Sequence, residues 1–142
     1  MSIDILIWVA AAVAAAFILL NIAQTMDAYP RLPASIPVHL DIRGRADTYG
    51  PKQTVWLLVA LQILCAAIFV YAGYAVAAHI PGTHGTLRQL ALIAPFIMAL
   101  LWRAQNLLIT LALSGKDQIA MGNFWLFFVA TMGAVLITAF WR

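Results

Sequence analysis

Polarity along the chain alternates four long apolar runs with three polar breaks. The runs cover about residues 3–26, 54–78, 87–113 and 121–141, each near the ~20 mostly apolar residues that a bilayer-spanning helix needs. The pattern predicts an all-α membrane protein: a four-helix transmembrane bundle with a long structured loop between helices 1 and 2. The first run has no basic start and exceeds the length of a signal-peptide core, so it reads as a retained helix. Alanines in that run, with Gly122, Ala130, Gly133 and Ala134 in the fourth, suit close helix contact in lipid.

The breaks differ in kind. "HIPGTHG" and "SGKDQIA" are short, whereas residues 27–53 form a long connection carrying Pro30, Pro33, Pro37 and Pro51. Proline fixes φ and removes a donor, which excludes a plain helix here. "VHLDI" alternates as a strand does, placing His39 and Asp41 on one face, and "RGRADTYG" carries turn residues. Such a length of stiff chain predicts an ordered cap within a single domain of residues 1–142.

Composition agrees: 65% of residues are hydrophobic and 9% charged, against about 45–50% and 25% in soluble domains. The lone Cys65 excludes an internal disulfide and a thiolate zinc site. A scattered net charge of +3 argues against a nucleic-acid partner. Arg31, Arg43, Arg45, Lys52 and Lys116 fall on one face of the predicted bundle, against Arg88 and Arg142 on the other, so the positive-inside rule puts the long loop in the cytoplasm. Trp8, Trp56, Trp125 and Trp141 suit interfacial anchoring; Trp102 lies deeper, as packing.

Polar residues inside the spans are candidates for function, because lipid penalises them. Arg103 lies about 15 Å into the third span at 1.5 Å per residue, followed by Asn106 and Thr110 on one helical face. With Asn21, Gln24, Gln62 and Asn123, they all fall in the half of the bilayer next to the long loop. The expectation is a hydrophilic cavity opening toward residues 27–53, with the loop as lid and Asp27, Asp41 or Asp47 answering Arg103. For the Asn, Gln and Thr set the favoured alternative is interhelical hydrogen bonding, worth about 0.6 kcal/mol per contact.

The loop gathers His39, Asp41, Gly44, Asp47 and Lys52. Imidazole and two carboxylates suit a divalent metal, so His39, Asp41 and Asp47 are candidate ligands. Alternatively, Asp41 and Asp47 pair with Arg43, Arg45 or Lys52. His79 and His84 are too few for a second metal site.

"YPRLPASIPVHLDIRGRADTYGPK" resembles the loop of a bacterial membrane domain of unknown function that forms the N-terminal part of SdpI-type immunity proteins. The resemblance rests on Leu32-Pro33, Ile36-Pro37, His39, Gly44, Asp47 and Lys52; Asp41 stands where many relatives have Asn. It implies one helix, this loop, then three helices, in a bacterial cytoplasmic membrane. SdpI-type proteins protect against a secreted killing peptide and hold a repressor at the membrane. The Asn/Gly/Arg-rich motif of their second membrane region has no match in this chain. Relatives often begin with lysines, which places the loop outside, opposite to the charge count.

Three functions follow. The first is an SdpI-like binding, immunity or signalling module whose loop and cavity take a peptide, lipid or small amphiphile. The second is a transporter or channel subunit, which with four helices requires a homo-oligomer. The third is a metal-dependent membrane enzyme using His39, Asp41 and Asp47; no nucleophile motif, HExxH or glycine-rich phosphate loop supports it.

Overall fold

A computed structural model describes residues 3–79 and 84–140. Four helices are present: α1 (Ile3–Ala28), α2 (Val55–His79), α3 (His84–Ser114) and α4 (Gly122–Phe140). Between α1 and α2 stands an antiparallel hairpin of β1 (Ser35–Leu40) and β2 (Ala46–Pro51), flanked by single 3-10 turns. The side chains of His79, His84 and Arg88, and the whole of Trp141 and Arg142, lie outside the described residues.

α1 and α2 are hydrophobic all round, as helices facing lipid are. Lipid offers backbone groups no water, so a helix that satisfies its own backbone is the stable form. Three helical stretches are long and apolar enough to cross a membrane: Ile7–Arg31, Lys52–Ala72 and Ala91–Ser114. The fourth predicted span is shorter, its apolar stretch running Gly122–Ile137.

α3 is the hub. α1, α2 and α4 all pack on it, and α1 also packs on α2. Among the described residues α2 and α4 have no substantial contact, so a gap separates them in front of α3. Pro95 lies inside α3 and removes one backbone donor from it.

A two-stranded hairpin alone is marginal in water. This one stands on a buried cluster of Ala28, Leu32, Ile36, Val55 and Ile109, flanked by Tyr29, Val38, Trp56 and Ala112. The ladder runs from Ser35 opposite Pro51 to Leu40 opposite Ala46, with irregularities on both sides of His39. Prolines 37 and 51 are tolerated because each strand is an edge.

The tip is bonded to the α3–α4 connection and the first turn of α4. The amide of Ala46 donates to the Asp117 carbonyl (2.9 Å) and that of Ile119 to the Gly44 carbonyl (3.0 Å). Gln118 Nε2 donates to the Arg43 carbonyl (3.1 Å) and Trp125 Nε1 to the Ile42 carbonyl (3.1 Å). Gly44 makes this approach possible. Its φ is +79°, and a Cβ there would collide with the Ile119 carbonyl oxygen and the Met121 side chain.

Candidate functional site

Beneath the hairpin is a cleft of about 560 Å³, within the ~300–1,000 Å³ of small-molecule sites. β1 and the residues after it, Ile36 to Ile42, form the roof. Val55, Leu57 and Leu58 of α2 form one wall, and Met121, Phe124 and Trp125 the other. Ala104, Gln105, Leu107 and Leu108 of α3 form the back. Because α2 and α4 do not close on each other, this cleft lies on the seam between them. Its lining is apolar apart from His39, Asp41, Thr54 and Gln105.

This cleft is not the hydrophilic cavity that the sequence predicts. None of Asn21, Gln24, Gln62, Arg103, Asn106, Thr110 and Asn123 lines the cleft. Several bond across helices instead. Asn21 Nδ2 donates to Gln62 Oε1 (2.8 Å) and to Gln105 Oε1 (3.3 Å). Gln62 Nε2 donates to the Met98 carbonyl (2.8 Å), and Gln105 Nε2 to Thr25 Oγ1 (2.5 Å). Trp102 Nε1 donates to Gln24 Oε1 (2.8 Å). Polar groups in lipid find each other because nothing else there can satisfy them. Asn21 Oδ1 alone is left buried without a partner among the described residues.

Arg103 is half-buried, as is Asn106, whereas Thr110 and Asn123 are exposed. Among the described residues Arg103 meets no acid: Asp27 pairs with Arg31, Asp47 is hydrogen-bonded to His39, and Asp41 is occupied elsewhere.

The loop motif separates into different tasks. Asp41 Oδ1 accepts the amides of Arg43 and Arg45, both at 2.8 Å, while the Asp41 carbonyl accepts the Gly44 amide (2.9 Å). Asp41 thus shapes the turn through backbone donors; the expected partners there, the guanidinium groups, are not what it holds. Gly44 lets the tip dock. His39 Nδ1 and Asp47 Oδ1 pair at 2.7 Å, and this bond holds the Asp47 carboxyl below its ordinary 3.8. Lys52 Nζ sits 4.8 Å from the Tyr29 ring centroid, a cation–π contact.

The proposed three-ligand metal set is also corrected. No group of three His, Cys, Asp or Glu able to hold an ion occurs among the described residues. The turn commits Asp41 to its own backbone, away from the His39–Asp47 pair.

Sequence reasoning missed Gln105 and the apolar wall, and read Trp102 as packing without its hydrogen bond to Gln24. The signal for Gln105 and Trp102 was present. Met98, Trp102, Gln105 and Ile109 recur at helical spacing along α3, and attention to Arg103, Asn106 and Thr110 selected a different face of the same helix.

Residues 5–63 match the family model of a domain of unknown function, DUF1648. The matched segment holds α1, the hairpin and the first turns of α2, hence the roof and one wall of the cleft, but neither α3 nor α4. No curated protein and no solved structure matches the chain.

Proposed function

We propose that this chain is a membrane-embedded binding module, holding the hydrocarbon part of an amphiphile in the cleft between α2 and α4. The supporting observation is the cleft itself: an apolar space roofed by an anchored hairpin, on a seam between two helices that lipid surrounds. A chain in the bilayer can reach such a seam sideways without crossing water. The reading is of an SdpI-like module in the bacterial cytoplasmic membrane, in keeping with the loop pattern and the DUF1648 match. In an immunity or signalling role, the bound amphiphile is what the hairpin reports.

The two other readings draw less support. A transporter needs a polar path, and the intramembrane Asn and Gln side chains are largely engaged with one another. A metal enzyme needs converging ligands, and Asp41 stands apart from His39 and Asp47.

The test is displacement of a fluorescent alkyl probe from the protein in nanodiscs by n-alkyl alcohols of increasing length. Referred to the free aqueous alcohol, each added CH₂ contributes about 0.8 kcal/mol, so apparent affinity is expected to rise about fourfold per carbon until the cleft is full. Leu108→Trp, which fills the back wall, is expected to abolish it. Displacement unchanged in that variant would overturn the reading.

A further inference from the structure

The hub helix α3 has one face that no described part of this chain covers. We infer that this face, running along Phe96, Arg103, Asn106 and Thr110, docks a transmembrane helix of another protein that carries a carboxylate at mid-span. The inference is independent of the cleft reading.

The packing order around α3 locates the face. α1 lies on the side of Trp102 and Gln105, which bond its Gln24, Asn21 and Thr25. α2 packs beside α1, the cleft follows, and α4 forms its far wall. The remaining sector lies between α4 and α1, which have no substantial contact among the described residues. At about 100° per residue, Asn106, Thr110 and Arg103 stand about 100–160° around α3 from Gln105, in that sector.

Burial marks the same face. Between residues 91 and 113 of α3, the exposed residues are Phe96, Thr110 and Leu113. With Arg103 and Asn106 they follow one another at intervals of seven, three, four and three residues. Alternating steps of three and four are how one helix packs along another.

The side chains of Arg103, Asn106 and Thr110 have no hydrogen-bond or ion-pair partner among the described residues. Asn106 and Thr110 can donate or accept, whereas Arg103 can only donate, so its partner is an anion. Depth decides what carries that anion. Arg103 stands at the middle of the Ala91–Ser114 span. A lipid phosphate, outside a ~30 Å hydrocarbon core, is about 15 Å away. The acids of this chain, Asp4, Asp27, Asp41, Asp47 and Asp117, lie at helix ends or in connections, so a second copy brings none to that depth. A carboxylate on another spanning helix does reach it. Alone at mid-span, such a carboxylate is as costly as Arg103, and each relieves the other.

The test uses synthetic helices of about 20 leucines and alanines, with Leu, Asn or Asp at the centre. Each is mixed in trace amount with the full chain in zwitterionic vesicles, and association is read by energy transfer between labels on the two. The Asp helix is expected to bind about tenfold tighter than the Leu helix, with the Asn helix between. Moving the Asp about seven residues toward one end, ~10 Å along the axis, is expected to remove the advantage. Arg103→Leu is expected to make the Asp and Leu helices equivalent, with the melting temperature retained as proof of folding. Arg103→Lys is expected to keep part of the preference. Thr110→Trp, which puts bulk on the face, is expected to weaken all three helices.

An Asp helix that binds no better than the Leu helix would overturn the inference. So would a preference that survives Arg103→Leu, or one indifferent to Thr110→Trp, since the helix would then dock elsewhere. If phosphatidylglycerol mixed into the vesicles abolishes the preference, Arg103 is held by a lipid phosphate and the inference falls.

Discussion

At the scale of single residues, the centre of the bundle is held by amides. Asn21 is 1% exposed and gives both its hydrogens to Gln62 and Gln105. Asn21→Leu would leave two buried carbonyls short of a donor, while also removing the unpaired Asn21 Oδ1. The two effects oppose, so the net loss is expected to be about 1 kcal/mol, seen as a lower melting temperature in detergent. An unchanged melting temperature would mean that the two bonds contribute nothing net. On the hairpin, the His39 bond lowers the Asp47 carboxyl relative to the unfolded chain. A carboxyl depressed in the folded state stabilises above its unfolded pKa, and that stabilisation is lost as pH falls through the folded value. Hairpin amide protection, taken relative to the intrinsic exchange rate at each pH, is therefore expected to fall in acid, below about pH 4. His39→Ala should abolish this acid dependence; its persistence would place the sensing group elsewhere.

At the scale of elements, the hairpin depends on what it touches. β1 and the segment leading into it bury Ile36 and Leu32 on the helix ends, and its tip depends on Gly44. Gly44→Ala would place a side chain at φ +79° against the Ile119 carbonyl. Positive φ at a non-glycine costs about 1–3 kcal/mol, and the collision adds to it. The tip is expected to lift, with faster exchange at the Ala46 and Ile119 amides while the helices remain protected. Equal protection in the variant would refute the docking. The turn was legible in the chain, because Asp41, Gly44 and the alternating "VHLDI" are local signals. The dock was not, because "SGKDQIA" contributes chiefly backbone carbonyls and amides there, which any residue carries, with the Gln118 amide beside them.

At the scale of the whole molecule, the spans and the capping loop were legible, since lipid imposes a period and a length that no local choice can disguise. The kind of cavity was not. Counting Asn21, Gln24, Gln62, Arg103, Asn106, Thr110 and Asn123 finds their depth in the bilayer but not their azimuth around each helix. Azimuth decides whether an amide meets another amide or an open space. Arg103 is the residue still out of balance: half-buried in a spanning helix, with no ion pair among the described residues. An Arg at mid-membrane costs about 2.5–3.5 kcal/mol of insertion. Arg103→Leu is accordingly expected to raise insertion efficiency in a translocon assay and leave the melting temperature equal or higher. A fall in stability would show instead that the Arg103 side chain contributes to packing or has a partner.

The docked tip also sets an order in time. Ile42 and Arg43 leave the ribosome some 75 to 83 residues before the Gln118 and Trp125 side chains that bind them. A nascent chain that ends within α3 can zip its strand ladder, but the tip has nothing to hold. Only when the last connection emerges and α4 begins to insert are the two ends of the roof tied down. Docking of the tip therefore waits on the α3–α4 connection, and the 41–46 segment stays without those partners until residues 117–125 have been made.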